Sequence, residues 1–288
     1  LLDYVLFGIG VKSRHICYIS LSSFEPYEAL PEYGNDLSLI GAITVEVKNK
    51  LIKEGCYKEK IKLFPNYATN EYFNCQIVKN AKVNKICIVS NHVPKELAEF
   101  KVIAEKQNIK VDIFGIQYTP KYIDEKILNK YDVIISIGKT IYYATAMGKP
   151  AYCYGRFGGY GYINKNNIKK AFKYNFSGRG FGEKKKSNEI LDEIINNYNN
   201  VQSDLEYVKK FAYDNFNFEK NIENFIEKVL NNNIDENKFY KKYFYLNRRS
   251  RLYVERMNTY NNEFNNLKKA YLELVNYKLL YDKEVKKN

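Results

Sequence analysis

The chain of 288 residues carries 46 Lys+Arg against 33 Asp+Glu, a formal charge of +13, and is 45% hydrophobic. This balance excludes a disordered coat, a fibre and a disulfide-held miniprotein, and the length, about twice a domain of ~150 residues, allows one large or two medium domains. The five cysteines, Cys17, Cys56, Cys75, Cys87 and Cys153, are odd in number and scattered without a C-x-x-C pair, which points to reduced thiols and away from a zinc knuckle. No apolar run of about 18 residues occurs and the first residues form no basic leader, so neither a membrane span nor a signal peptide is expected. A cytoplasmic setting is expected, and because residue 1 is Leu rather than Met, the natural start is expected upstream.

From the N-terminus, the apolar run Ile16-Cys17-Tyr18-Ile19-Ser20-Leu21 empties into the turn-rich Ser22-Ser23-Phe24-Glu25-Pro26-Tyr27-Glu28, the pattern of a buried strand followed by a loop. Residues 37–43 read as a strand, 44–54 as a helix closed by Gly55, and 61–64 as a strand stopped by Pro65. The β-α-β rhythm repeats with apolar strands at 86–89, 111–114, 133–137 and 151–154. Helices are expected between them at 94–107, 122–129 and 140–147, the last closed by Gly148 with Pro150 beyond. Short continuous apolar strands alternating with helices predict an α/β fold of Rossmann-like parallel sheets, covered on both faces.

Beyond residue 187 the pattern turns helical, over 187–198 and 203–231. After the break at Asn231-Asn232-Asn233, the residues Tyr253, Met257, Tyr260, Phe264, Leu267, Tyr271, Leu274, Lys278 and Tyr281 fall at alternating spacings of four and three. That is a heptad seam, fit either to lie against the globular body or to self-associate as a coiled coil. The expected division is a partial N-terminal α/β domain at 1–80, a ligand-binding Rossmann-like domain at 81–232 and a helical tail at 233–288.

The charge is not spread evenly. Residues 165–186 hold eight Lys+Arg against Glu183 alone, and residues 236–288 hold thirteen against six, so each region carries +7 and the remainder is near neutral. Local basicity of this kind suits specific anionic contacts, a phosphorylated ligand or an acidic membrane surface, better than a general nucleic-acid coat. Tyrosines are abundant but not interleaved with the basic segments as a stacking platform, and no nucleic-acid partner is expected.

In parallel α/β sheets ligands bind outside the carboxyl ends of the strands. This selects three loops: Ser90-Asn91-His92, Gly138-Lys139-Thr140, and Gly155 to Gly161. Gly138-Lys139-Thr140 has the ending of a phosphate-binding P-loop, but Val133 stands where that loop needs another glycine. What remains is a strand running through Gly138 into a helix whose first-turn N–H groups and positive dipole end can hold a phosphate or carboxylate. The alternative is a capped helix with a solvated lysine. Gly158 and Gly159 sit in a glycine cluster between aromatics, where glycine allows backbone to approach a ligand closely. In Asn175-Phe176-Ser177-Gly178-Arg179, Asn175 and Ser177 add polar contacts beside Gly178, and Arg179 adds a guanidinium able to grip a phosphate bidentately; two flexible turns are the alternative.

Taken in order, these phrases resemble a known family. Tyr131 to Thr140 followed by Ala144 to Pro150 is similar to the nucleotide-sugar half of two-domain bacterial glycosyltransferases of the GT-B fold. Phe157-Gly158-Gly159-Tyr160-Gly161-Tyr162 and Asn175 to Arg179 resemble a subgroup of them, and Ser20 to Pro26 with Leu63-Phe64-Pro65-Asn66 resembles that subgroup's N-domain end and crossover. The similarity spans about residues 15–230. It departs at Tyr143, which stands where many such transferases carry a glutamate that holds the donor ribose, and in the shortness of the acceptor-side domain.

The resemblance implies transfer of a sugar from a nucleotide diphosphate donor to a glycan, lipid-linked or protein acceptor, of the kind used in cell-surface polysaccharide biosynthesis. It implies a donor site built from Ser90, Asn91, Gly138, Lys139, Thr140, Tyr143, Gly158, Gly159, Asn175, Ser177, Gly178 and Arg179, with Arg179, Lys139 and the amides near Thr140 offsetting charge on the leaving diphosphate. Glu25 and His92 are the candidate catalytic bases, with Glu28 beside Glu25. No D-x-D occupies a loop, so no metal is implied and no cofactor is expected beyond the nucleotide-sugar substrate. The alternatives are a non-catalytic binding or oligomerisation module, which Tyr143 favours, and a nucleotide-sugar epimerase, for which the chain is short of carboxylates. The basic tail is expected to touch the inner membrane face peripherally or to pair two copies as a homodimer.

Overall fold

A computed structural model describes residues 4–22, 29–180 and 183–285. The chain divides into two compact units, Cys17–Asn232 and Leu1–Ile16 with Asn233–Asn288. In the larger unit, β1 (Cys17–Ser20), β2 (Leu39–Ala42) and β3 (Ile61–Leu63) form a parallel sheet in that order. The crossover helix α1 (Val45–Lys53) starts at Thr44, whose Oγ1 accepts the Val47 N–H at 3.1 Å and so satisfies a first-turn amide that the helix itself leaves open. Its Val47 and Leu51 close over Ile40, Ala42 and Ile61.

The second sheet has the order β5-β4-β6-β7-β8, built from β4 (Lys85–Val89), β5 (Lys110–Phe114), β6 (Val133–Ser136), β7 (Ala151–Gly155) and β8 (Gly158–Tyr162). The first four are parallel; β8 runs antiparallel to β7. Helices α2 (Asn70–Phe73), α3 (Lys95–Lys106), α4 (Glu125–Leu128), α5 (Lys139–Met147), α6 (Ile168–Lys173), α7 (Ser187–Phe216) and α8 (Phe218–Leu230) surround it. Successive strand residues face opposite ways. Cys87 and Ile134 join Ile141, Ala144 and Val208 on one face, while Ile86, Ile88, Val133 and Ile135 join Leu97, Phe100, Ile190 and Ile194 on the other. Both faces are therefore dry, which is why these strands read as unbroken apolar runs. From β4 the chain steps to β5 on one side and to β6 on the other, so the strand order reverses between β4 and β6, and a crevice opens there at the carboxyl ends.

Three features differ from expectation. Residues 158–162, expected in a glycine loop, form β8, paired Tyr152 to Tyr162 and Gly155 to Gly158. The helix expected to break near 199–202 runs unbroken to Phe216, because Asn199 and Asn200 fall on its exposed side while Ile194, Tyr198, Val201 and Leu205 keep the buried stripe in register. The break comes instead at Asn217, where the Phe218 N–H bonds the Ala68 carbonyl at 2.9 Å and the Asn217 side chain caps α8 through the Lys220 N–H. The weak helix expected over 122–129 shrinks to α4, capped by Asp124.

In the smaller unit, a π-helical turn, Tyr4–Ile9, packs with α9 (Glu236–Lys242) and the start of α10 (Tyr245–Val285): Phe7 lies 5.9 Å from the Phe239 ring and Arg251 donates to the Gly8 carbonyl. Residues 1–16 thus share a unit with the tail and not with the first sheet. No helix among the described residues is long and apolar enough to cross a membrane.

Candidate functional site

A pocket of about 430 Å³ occupies the crevice at the carboxyl ends of β4 to β7. On one side lie Ser90, Asn91 and His92. Their loop is fixed by the His92 N–H donating to Ser90 Oγ at 3.1 Å and by Asn91 Oδ1 accepting the Ile116 N–H at 3.2 Å. Between β4 and β6, Ser136 Oγ donates to the Val89 carbonyl at 2.7 Å and locks the strand ends together. On the other side the chain turns at Gly138, whose φ of +60° suits glycine, and enters α5. The Gly138 N–H is held by the Phe176 carbonyl at 3.0 Å, whereas the next two amides, of Lys139 and Thr140, belong to the first helical turn and have no intrahelical acceptor. Both residues line the pocket.

Electrostatically the pocket is one-signed. Lys121, Lys139 and Arg156 line it and no carboxylate does so among the described residues. With the positive end of α5 added, the lining has the charge that an anion needs, in a space larger than a single phosphate fills. Lys139 also lines a neighbouring pocket of about 350 Å³, with Leu21, Ile43, Phe64 and Asn66 on the first-sheet side and Tyr72, Tyr122 and Tyr143 opposite. Tyr143 stacks on Tyr72 with ring centroids 4.1 Å apart and planes 7° from parallel, and Lys139 Nζ stands 5.6 Å from the Tyr143 ring. Burial, with the neighbouring Tyr143 second, pushes the Tyr72 phenol upward, so it stays a neutral hydrogen-bonding group.

The sequence-derived candidates separate into two sets. Ser90, Asn91, His92, Lys139 and Thr140 meet in the larger pocket, Gly138 falls in the chain between its lining residues Ile137 and Lys139, and Tyr143 lines the smaller one. Gly158 and Gly159 instead belong to β8: a Cβ on Gly159 would sit 1.8 Å from the Cys153 carbonyl oxygen, so the glycine serves backbone-to-backbone packing. Gly178 does the same against the Gly158 carbonyl. Asn175 Oδ1 accepts from Asn66 Nδ2 at 2.9 Å, Ser177 Oγ accepts the Arg179 N–H, and the Arg179 guanidinium meets the Glu46 carboxylate at 2.8 Å. None of Asn175, Ser177, Gly178 or Arg179 lines the crevice pocket; their turn is tied to it through the Phe176 carbonyl, which accepts the Gly138 N–H. Glu25 and Glu28 lie outside the described residues.

Arg156 and Phe157, from the selected loop Gly155 to Gly161, line the pocket although neither was named as a donor-site residue, and Lys121 lines it from outside the three selected loops. Arg156 directly follows the end of β7, where the carboxyl-end rule placed a ligand loop; Lys121 had no comparable signal. The +7 segment contributes none of these cations, and two of its lysines are engaged elsewhere, Lys165 with Asp204 at 3.3 Å and Lys185 with Glu193. No grouping of His, Cys, Asp and Glu able to hold a metal ion occurs among the described residues.

No protein-family profile matches the chain, and no curated protein matches it in sequence. Among solved structures it is similar to Anabaena Alr3699/HepE in complex with UDP, at 13% identity and a TM-score of 0.50, over 76% of this chain and 72% of that one. The fold is of the GT-B type. A structure of TarM is also similar, at 13% identity and a TM-score of 0.46, over 74% of this chain and half of TarM. At such identities the likeness to HepE establishes a shared GT-B backbone, and the chemistry has to be argued from this chain's own residues.

Proposed function

We propose that the protein is a glycosyltransferase that takes a sugar from a nucleotide diphosphate donor, with the diphosphate in the crevice pocket and the acceptor approaching from the neighbouring pocket across Lys139. One observation carries the reading. The pocket at the strand-order reversal presents three cations and two open helix amides, with no described carboxylate among its lining residues. In the transfer, the bond between the sugar's anomeric carbon and the diphosphate oxygen breaks, its electron pair leaves with the diphosphate, and the acceptor hydroxyl forms the new bond as it loses its proton. Lys139, Arg156 and the amides of Lys139 and Thr140 offset the charge gathering on the leaving group, so no metal is invoked. His92 is the described candidate to receive the proton. That HepE, of the same fold, holds UDP supports a nucleotide diphosphate as the ligand class.

The acceptor, a glycan, a lipid-linked sugar or a protein, belongs to this proposal on the strength of the resemblance alone. Calorimetric titration with uridine, guanosine, cytidine and thymidine diphosphates tests the reading: one of them is expected to bind with micromolar affinity, and no binding by any would overturn it. A second reading, a binding module without turnover, is favoured by Tyr143, which stands in the sequence where the resemblance expects a ribose-holding glutamate and is stacked on Tyr72. Nucleotide binding without sugar release or transfer from the matching nucleotide sugar would decide for it.

A further inference from the structure

The free part of α10 leaves an apolar seam uncovered. Its seven seam side chains from Tyr253 to Leu274 are 57–71% exposed, and beyond Arg251 no ring contact, ion pair or hydrogen bond to another element occurs among the described residues. The seam keeps its four-three spacing through four heptads. In a straight α-helix a stripe of period 3.5 drifts by about 20° per heptad, or roughly 80° over this length, so it cannot lie on a flat lipid surface or one fixed wall. A second supercoiled helix follows that drift.

Charge indicates which helix. In this register Tyr253, Tyr260, Leu267 and Leu274 take the d positions and Met257, Phe264 and Tyr271 the a positions, which puts Glu263 at g and Lys268 at the following e. In a parallel pair of identical helices, g of one faces the following e of the other, so Glu263 and Lys268 meet across the interface twice. The next such positions, Ala270 and Val275, are apolar and widen the seam. At their exposure these side chains offer on the order of 100 Å² each, and two copies together bury about 1,400 Å², within the ~1,200–2,000 Å² of specific interfaces. We infer that α10 pairs in parallel with α10 of a second copy of this chain, as a two-stranded coiled coil.

Sedimentation of the full chain tests this directly. A dimer is expected at micromolar concentration, and Phe264→Glu, at an exposed site that leaves the fold intact, is expected to give a monomer with an unchanged melting temperature. Glu263→Lys and Lys268→Glu should each weaken dimerisation about tenfold, while an equimolar mixture of the two variants recovers the original affinity. A monomer at high micromolar concentration, a dimer that survives Phe264→Glu, or a trimer or tetramer would overturn the inference. So would a mixture no tighter than its components, or binding to anionic vesicles by a chain that does not self-associate.

Discussion

Replacing Lys139 by Met isolates the charge at the junction of the two pockets while keeping the length and apolar stem of the side chain. Lys139 is exposed and its ammonium stands 5.6 Å from the Tyr143 ring, its one aromatic neighbour among the described residues. Loss of that cation–π contact costs about 0.5 kcal/mol at an exposed site, which lowers the melting temperature by no more than about 2 °C in a protein of this size. The contact to a diphosphate is larger, because a charge-assisted hydrogen bond contributes about 1.5–3 kcal/mol, and solvent access places this one near the low end. At about 1.4 kcal/mol per decade, the affinity for the nucleoside diphosphate that binds should fall roughly tenfold. The matching nucleoside, which brings no phosphate, should bind as before, and the diphosphate affinity of the variant should depend less steeply on salt. Calorimetry with both ligands at two salt concentrations reads all three effects. Equal losses for nucleoside and diphosphate, or an unchanged diphosphate affinity, would refute the diphosphate assignment.

Gly159→Ala forces a Cβ to within 1.8 Å of the Cys153 carbonyl, and the displaced β7–β8 hairpin should cost about 1–3 kcal/mol, seen as a melting point several degrees lower. A variant as stable as the parent would mean that the hairpin is not packed this way. Thr44→Ala removes the cap of α1 and is expected to destabilise by about 1 kcal/mol in urea unfolding. The alkaline limb of stability should be steep. Burial pushes the Cys153 thiol from 9.0 up to about 12 and the Tyr67 and Tyr198 phenols from 10.0 up to about 12. Their contributions are complete below those unfolded values and are lost as pH rises toward about 12. Lys149 works the other way: burial lowers its pKa, so folding is favoured as it loses its proton, but it is outnumbered. Melting temperatures from pH 8 to 11 should fall progressively, and a flat profile would contradict the burial of these groups.

The sheet was legible because its strands are buried on both faces and therefore need no alternation: Ile86 to Val89 and Val133 to Ser136 stand as compact apolar blocks with turn residues at their ends. Half of the pocket followed from those blocks, since locating a strand also locates the loop at its carboxyl end. The rest was hidden for identifiable reasons. Lys121 reaches the pocket from a segment with no regular periodicity. The asparagine pair at 199–200 carries the composition of a turn, yet on the outer side of a long amphipathic helix its turn preference is overridden by the apolar stripe on the inner side. The end of α7 depends on the backbone of Ala68, far away in sequence, and no local signal announces it.

The two glycine-rich phrases show where residue chemistry alone stops deciding. Glycine permits a close approach of backbone, but it does so equally for a phosphate and for another peptide group, and asparagine and arginine pair as readily with a protein partner as with a ligand. Here the phrase at 175–179 turns its polar groups to the first sheet's surroundings: Asn175 to Asn66 in the loop after β3, Arg179 to Glu46 in the first turn of α1. The ion pair is about one-third exposed, so it contributes no more than about 1 kcal/mol. Phe64 packed against Phe225 at 4.4 Å, and the Ala68 backbone bonded to both Phe216 and Phe218, tie the first sheet's chain more firmly to the helices at the end of the unit. By contrast, Gly138 has open space where a Cβ would stand and a helix start beyond it with unanswered amides. A glycine filled against backbone is structural joinery, whereas one that opens onto unpaired donors and cations leaves room for an anion, and that difference is why the proposed diphosphate site is drawn at Gly138 and not at the glycines of β8.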